Sequence, residues 1–176
     1  MKAQDIVSDR LLLKRLSINH LSHQYVSWLN DHDVNKYLET KGNYTLEKLE
    51  SFLIDQEEKD IYFWAIHLKE NYEHIGNIKI DPINIENNSG EYGILMGNKK
   101  YWGKGYAKEA SEIVINYCFE ILGLKQITLG VIENNLSAVS LYKRLGFNIS
   151  ESFSNYGIYD NKESNLLRMN LENSNE

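Results

Sequence analysis

The sequence predicts a mixed α/β fold of the α+β class: one mostly antiparallel sheet of about seven strands with helices on both faces. Three observations carry this prediction. Short segments rich in β-branched and aromatic residues occupy the middle of the chain, separated by Asn-rich turns. Segments with helical spacing precede and follow them. One proline and no Gly/Ser-rich linker occur in 176 residues, which predicts a single domain over residues 1–176.

The first part of the chain predicts one strand and a helical block. Leu11–Arg15 has the composition of a short strand, and residues 20–29 carry apolar side chains at helical spacing. A short helix is expected to end near Tyr37. Thr45 can cap a further helix that runs to about Lys59, because a threonine hydroxyl accepts a backbone N–H of the first turn.

The remainder of the chain alternates between segments with the residue pattern of strands and segments with that of helices. The predicted strands are residues 62–68, 74–83, 91–96 and 126–131, followed by a closing hairpin of residues 147–156 and 165–171. The predicted helices are residues 106–121 and 136–145. The element order is therefore strand, helices, three strands, helix, strand, helix and two strands.

Composition limits the classes of function. Hydrophobic residues make up 42% of the chain, enough for a core without cross-links. The single cysteine, Cys118, lies in an apolar run, which is typical of a core residue in a reducing compartment. A net charge of −6 argues against nucleic-acid binding. The chain lacks both a stretch of roughly 20 apolar residues and a signal-peptide core, so we expect a cytoplasmic protein outside the membrane.

Residues 102–107, Trp-Gly-Lys-Gly-Tyr-Ala, lie where a strand ends and a long helix begins. Glycines allow a sharp turn, and a helix start offers unpaired N–H donors with a partial positive charge. Together they predict a pyrophosphate site, to which Lys104 could add charge. A P-loop is excluded because Gly-Lys is followed by Gly105. A dinucleotide-binding fold is disfavoured because its glycines follow the first strand, whereas here the three strands of a meander also come before the glycines. A plain turn into a helix remains the alternative.

A second pattern follows the next strand. Asn135 can cap the following helix and also bind amide groups of an extended ligand. Tyr142 lies seven residues later, two helical turns on, so both side chains fall on one face. Gly146 then ends the helix. The simpler alternative makes Asn135 only a cap and Tyr142 only a half-buried aromatic residue.

Taken together, residues 91–147 resemble the GNAT acetyltransferase superfamily. The glycine turn is similar to the family's Q/R-x-x-G-x-G/A motif, and Asn135, Tyr142 and Gly146 match its second block in order and spacing. Trp102 stands where the general motif has Gln or Arg. The sequence Tyr-Trp-Gly-Lys-Gly-Tyr-Ala is similar to the branch that includes the ribosomal-protein N-terminal acetyltransferases.

The resemblance implies a sheet that is splayed between its fourth and fifth strands, with acetyl-CoA as co-substrate and no metal. Pantetheine would lie in the gap, and the glycine turn would hold the pyrophosphate. The residues expected to bind acetyl-CoA are Leu95, Met96, Gly97, Trp102, Gly103, Lys104, Gly105, Tyr106, Ala107 and Asn135.

The resemblance further implies direct attack of a neutral amine on the thioester. The reaction then needs a proton donor for the departing thiolate and a proton acceptor for the amine. Tyr142 is the expected donor. Glu91, at the start of a strand, is the expected base, with His74 as the other candidate. Each of these two could instead be an ordinary surface residue, and an acceptor amine of low pKa needs only a water relay.

The acceptor is expected to be a small-molecule amine, with Trp28, Tyr37 and His74 as substrate-binding residues. The phrase Ser-Trp-Leu-Asn-Asp at residues 27–31 is similar to acetyltransferases of nucleotide-linked amino sugars, which makes a sugar nucleotide the leading acceptor. The N-terminal amine of a protein, such as a ribosomal protein, is the alternative. A non-catalytic acetyl-CoA-binding module is the third interpretation. Family members are often homodimers, so a homodimer is also expected.

Overall fold

The computed structural model describes residues 3–39, 42–59 and 61–174. Within these ranges the chain forms eight strands and five α-helices. The strands are β1 Ile6–Val7, β2 Leu11–Arg15, β3 Tyr62–Leu68, β4 His74–Asn84, β5 Ser89–Met96, β6 Gln126–Ile132, β7 Asn148–Tyr159 and β8 Lys162–Glu172. The α-helices are α1 His23–Asn30, α2 His32–Asn35, α3 Leu46–Glu58, α4 Tyr106–Asn116 and α5 Leu136–Arg144.

The strands form one mixed sheet in the order β1-β2-β3-β4-β5-β6-β8-β7, which confirms the predicted fold class. The pairing of β5 with β6 is parallel and covers three residue pairs, from Ser89–Gln126 to Glu91–Thr128. β5 continues for five residues beyond that pairing, to Met96. This short pairing agrees with the splay expected between the fourth and fifth predicted strands, which are β5 and β6 here because β1 was not predicted.

The chain divides into two compact units that share β4, β5 and α4. The first unit comprises Met1–Asp81 and Gly93–Ala110. Its helices pack on β3 through a cluster of buried apolar side chains contributed by α1, α2, α3, β3 and the residue after β2: Leu16, Tyr25, Trp28, Leu29, Val34, Leu49, Leu53 and Ala65. The side chain of Thr45 caps α3 as predicted, accepting the N–H of Lys48.

The second unit comprises Pro82–Tyr92 and Ser111–Glu176. Its strands β6 and β8 pair over seven residues, from Gln126–Glu172 to Ile132–Leu166. The apolar side chains that alternate along these strands are buried, among them Leu129 and Met169. The prediction of one domain over the whole chain stays a prediction.

Two helices differ in length from their predictions. The helix predicted at residues 106–121 is α-helical only to Asn116 and ends in a π-helical turn, Tyr117–Ile121. The helix predicted at residues 20–29 is a 3₁₀ turn, Ile18–His20, followed by α1. Ser22 explains the break, because its side chain caps α1 by accepting the N–H of Tyr25.

Three features of the described ranges bear on the sequence predictions. These ranges contain no helix that is both long and apolar enough to cross a membrane. They also contain no group of three or more His, Cys, Asp or Glu side chains suited to hold a metal ion. Cys118 is fully buried, and burial raises the pKa of its thiol to about 12, so this sulfur stays protonated at neutral pH.

Candidate active site

The glycine turn has the backbone conformation that an anion site needs. Gly103 and Gly105 have φ of +71° and +82°, a region that side chains other than glycine rarely adopt. A Cβ placed on Gly103 would meet no atom within 4 Å, so its backbone is open on that side. α4 begins directly afterwards, with the Glu109 N–H donating to the Gly105 carbonyl. The turn therefore presents an accessible backbone at a helix start, which suits a phosphate group.

Arg10 holds this turn in place. Its guanidinium Nη1 donates to the Lys104 carbonyl at 3.0 Å, and its Nε lies 2.6 Å from Glu109 Oε2. The same guanidinium lies over the Tyr106 ring, 4.3 Å from the centroid. Burial disfavours the charged form of Glu109, but hydrogen bonds from Ser8 and Arg10 outweigh this effect and lower its pKa. The Glu109 carboxylate beside the glycine turn is thus ionised, and its charge is balanced by Arg10.

Trp102 connects the turn to the end of β5. Its indole N–H donates to the Met96 carbonyl at 2.8 Å, while 42% of the residue remains exposed. The sequence predicts that the backbone of residues 95–97 contacts pantetheine. Two polar groups of this backbone already have partners: the Met96 carbonyl accepts from Trp102, and the Gly97 N–H donates to the Ile75 carbonyl at 3.0 Å. The Leu95 carbonyl oxygen lies close against Gly76, since a Cβ on Gly76 would be only 2.4 Å from that oxygen.

Trp28 lies in the core rather than in an open pocket. Only 5% of it is exposed, and its ring passes so close to Gly97 that a Cβ there would lie 2.1 Å from Cδ2. Tyr25 and His74 cover the ring further, with centroids at 5.5 and 4.9 Å. Trp28 thus packs against Gly97, and its role as a substrate-binding residue stays a prediction. Tyr37 is half-buried, with the ammonium group of Lys36 at 5.6 Å from its ring centroid.

His74 belongs to a cluster of three imidazoles. Its ring centroid lies 5.3 Å from that of His20 and 5.2 Å from that of His67. His74 Nε2 is within hydrogen-bond distance of the Gly76 carbonyl and of Asn77 Oδ1, so this nitrogen carries the proton and donates. Burial lowers the pKa of His74 to about 3. The imidazole is neutral and a very weak base at neutral pH.

Asn135 caps α5 as the sequence predicts. Its Oδ1 accepts the Ala138 N–H at 3.4 Å and the Ser137 hydroxyl at 3.1 Å. The cap uses the side-chain oxygen, so the amide nitrogen is the group that could meet a ligand. The neighbouring Asn134 donates to the Ser164 hydroxyl at 2.7 Å and so joins this turn to the start of β8.

Tyr142 is buried on α5, with 7% of the residue exposed. Burial raises the pKa of its phenol to about 12, because the phenolate would lose solvation. The hydroxyl is therefore protonated at neutral pH. In the described part of the chain it makes no hydrogen bond of its own, which leaves the O–H available to a ligand.

Glu91 is held by hydrogen bonds from Arg168 and Thr128. Its carboxylate accepts two hydrogen bonds from Arg168, at 2.7 and 2.6 Å, and a third from the Thr128 hydroxyl at 2.7 Å. This bidentate pair raises the pKa of Arg168. Gly130 makes room for the guanidinium, since a Cβ there would lie 3.1 Å from Arg168 Nη1. A carboxylate held in this way is a fixed anion rather than a ready proton acceptor.

Two of these residues were not predicted from the sequence. Arg10 reaches the glycine turn from 94 residues away in the chain, and Arg168 reaches Glu91 from 77 residues away. No local pattern connects such partners. Glu109 gave no signal for Arg10 either, because an acidic residue in the first turn of a helix is favourable by itself.

The chain is similar to acetyltransferases of known structure. Spermidine N-acetyltransferase from Vibrio cholerae, solved with CoA and spermine, superposes with a TM-score of 0.84 at 22% identity and covers 95% of this chain and 98% of its own. Ribosomal-protein-S5-alanine acetyltransferase from Vibrio fischeri gives 0.84 at 16% identity, with 98% of each chain covered. These likenesses support the fold.

Sequence comparison supports the family. An uncharacterized N-acetyltransferase, p20 of Bacillus licheniformis, is 27% identical over 148 residues, which is 82% of each chain. The family model of the acetyltransferase (GNAT) domain matches residues 10–148, a range that includes Arg10, the glycine turn, Asn135 and Tyr142. The chain therefore belongs to the GNAT family and is an acetyl-CoA-dependent N-acetyltransferase.

Proposed function

We propose that this enzyme transfers the acetyl group to the primary amine of a small molecule by direct attack, and that the acceptor is a nucleotide-linked amino sugar. The observation that carries the cofactor half is the open backbone of Gly103, at positive φ, immediately before α4. Acetyl-CoA supplies the activated thioester. Arg10 and Trp102 hold the turn that would take its pyrophosphate, and the Asn135 amide would bind its pantetheine arm.

The Tyr142 hydroxyl is proposed to stabilise the leaving thiolate by a hydrogen bond. A phenol of pKa about 12 is a weaker acid than a thiol, for which about 8.5 is ordinary. Complete proton transfer to the thiolate would therefore be uphill by roughly 5 kcal/mol. A hydrogen bond avoids this cost and still stabilises the developing charge. The thiolate would then leave without a full transfer from Tyr142.

The proton of the attacking amine is proposed to leave through water. The two side chains predicted from the sequence as bases are poor proton acceptors, because His74 has a pKa of about 3 and Glu91 is paired with Arg168. An amine with a pKa near 8 is partly neutral at pH 7 and needs no strong base. The acceptor's own acidity would therefore govern the reaction.

The charges beside α1 and α2 favour an acceptor without several positive charges. Asp31 and Asp33 are the acidic residues of this segment, and both bind Lys99, at 2.7 and 2.9 Å. A polyamine would have to compete with this lysine.

Asn30 and Asn35, in the same segment, are also engaged, because their amides donate to the carbonyls of Tyr44 and Leu29. The phrase shared with amino-sugar acetyltransferases thus builds the α1–α2 segment, and the partly exposed Tyr37 ring could stack on a ligand.

A polyamine is the second candidate acceptor. The V. cholerae relative, solved with spermine, favours it, and so does the net charge of −6. The N-terminal amine of a protein is a third acceptor, suggested by the wording of the glycine turn. A module that binds acetyl-CoA without turnover is the non-catalytic alternative. One set of assays separates these four.

The test measures free-thiol release from acetyl-CoA with UDP- and dTDP-linked amino sugars, spermidine and spermine, and peptides with free N-termini. Wild type is compared with Tyr142→Phe, and with Tyr72→Phe as a control, since Tyr72 is 68% exposed. We expect turnover with an amino sugar, a loss of about 10- to 100-fold in kcat for Tyr142→Phe, and none for Tyr72→Phe. Faster turnover with spermidine would replace the leading acceptor. Tight acetyl-CoA binding without any turnover would favour the non-catalytic module.

We further propose a homodimer formed through β7. This strand lies at the edge of the sheet, and its exposed side chains include Ile149, Phe153, Tyr156 and Ile158. A second copy is the expected occupant, because an antiparallel edge strand can pair with itself across a two-fold axis. Sedimentation velocity should give a dimer for wild type and for Ile121→Lys, and a monomer for Ile158→Lys. A monomeric wild type would rule this out.

A further inference from the structure

The ring of Tyr142 is packed between two other buried aromatic rings. The Tyr92 ring meets it edge-on, with centroids 5.7 Å apart and planes at 84°. The Phe147 ring lies 6.0 Å from it, and Phe147 and Tyr92 are 6.1 Å apart. These three residues form a closed group, the three-ring cluster, in which every member is buried. Edge-to-face contacts of this kind are directional and favour one ring orientation.

Tyr92 differs from Tyr142 in having its hydroxyl anchored. The Tyr92 oxygen lies 2.7 Å from the hydroxyl oxygen of Ser111, in a bond that is buried at both ends. This bond joins β5 to α4. Tyr142 has no such bond within the described residues, so its direction depends on the rings around it.

We propose that Tyr92, anchored by Ser111, is a positioning residue that aims the Tyr142 hydroxyl at the departing sulfur. This inference rests on the proposed role of Tyr142. A phenol that makes no hydrogen bond in the resting enzyme gains its orientation only from packing. Misplacement by about 1 Å can reduce a rate by about 100-fold, so the direction of this hydroxyl matters for turnover.

Two mild variants remove the anchor from opposite ends. Tyr92→Phe keeps the ring and deletes its hydroxyl, and Ser111→Ala deletes the other partner. Each should lower kcat by about 3- to 5-fold and leave the KM for acetyl-CoA within about twofold. The double variant should match either single variant, because both changes delete one bond. Tyr92→Leu removes the ring contact and should lower kcat by about 30-fold, with Tyr92→Phe recovering most of that loss.

A double-mutant cycle separates positioning from a general structural effect. If Tyr92 acts through Tyr142, Tyr92→Leu should change kcat by less than about twofold in a Tyr142→Phe background. Tyr62→Leu is the matched control, because it removes another buried tyrosine ring, on β3, that is outside the three-ring cluster. It should lower thermal stability and leave kcat unchanged.

Two outcomes would overturn the inference alone. One is an equal loss of kcat from Tyr92→Leu in both backgrounds, and the other is wild-type kcat in Tyr92→Leu. If Tyr142→Phe itself keeps full activity, the proposed role of Tyr142 fails and the inference fails with it. These results are distinct, so the assay shows which of the two statements is wrong.

Discussion

At the scale of single residues, Gly97 shows how core packing constrains a position that the sequence predicts to contact pantetheine. The Trp28 ring occupies the space where a side chain of residue 97 would lie, with three ring atoms within 2.6 Å of the position that a Cβ would take. A glycine here therefore permits the tryptophan to pack under the end of β5. This constraint is steric and is independent of any need for positive φ.

Gly97→Ala should consequently destabilise the protein by about 1–3 kcal/mol or more, because the buried indole cannot move without displacing its neighbours. The expected drop in Tm is several degrees. Gly123→Ala is the control: Gly123 has φ of +64° but no atom within 4 Å of its Cβ position, so only the smaller backbone cost applies. In a Trp28→Phe background the cost of Gly97→Ala should shrink. Equal losses in both backgrounds would refute the steric explanation.

The three imidazoles give a prediction on acid stability. Burial lowers the pKa of His20, His67 and His74, to about 3 for His74. The other charged groups that act on the cluster are Lys14 and Glu57. In the unfolded chain these histidines take up protons below about pH 6.5, whereas burial disfavours the protonated form of all three in the folded protein and keeps His74 neutral. Stability should therefore be lost as pH falls through 6.5, with His74 contributing about 1.4 kcal/mol per pH unit below that value.

Urea denaturation between pH 8 and 5.5 measures this loss. His74→Phe should reduce the slope of unfolding free energy against pH by up to one proton. Parallel curves for wild type and His74→Phe would show that His74 does not contribute.

At the scale of elements, local patterns predicted most helices and strands. The composition of β3 and the cap at Thr45 are encoded within a few residues, so their positions follow from the sequence. β1 was missed because two residues, Ile6 and Val7, are too few to show a period. The glycine turn was predicted for the same local reason, whereas its brace was not: the Arg10–Glu109 pair spans 99 residues. The burial of Trp28 likewise depends on packing against Gly97.

Arg10, directly before β2, braces the start of α4 through its contacts with the Lys104 carbonyl and Glu109. Loss of this brace should weaken the binding of CoA. Arg10→Gln removes the bond to the Lys104 carbonyl and leaves the Glu109 carboxylate near the anion site without its cation. The Kd for CoA, measured by isothermal titration, should rise by about 5- to 10-fold, with kcat at saturation within about twofold in the thiol-release assay. Arg15→Gln is the matched control, since Arg15 binds a different carbonyl, that of Glu57. An unchanged Kd for Arg10→Gln would contradict the role of this brace.

At the scale of the whole molecule, the chain provides strong determinants for the acetyl donor and weaker ones for the acceptor. The proposed donor side rests on the backbone geometry of the glycine turn and on the protonated Tyr142 phenol, both of which are fixed by the fold. On the proposed acceptor side, polar groups are already engaged, such as Asp31 with Lys99. The amine must then reach the thioester in its neutral form with little help from a protein base.

The pH dependence of turnover should accordingly follow the acceptor. If water takes the proton, kcat/KM at low pH should rise tenfold per pH unit until the pH reaches the pKa of the amine. For an amine near pKa 8 and one near 10.4, the rising limbs of the two plots of kcat/KM against pH should be displaced by roughly 2.4 pH units. Glu91→Gln should leave the position of each limb unchanged. A limb at one fixed pH for both amines, which disappears in Glu91→Gln, would instead identify Glu91 as the base despite its pairing with Arg168.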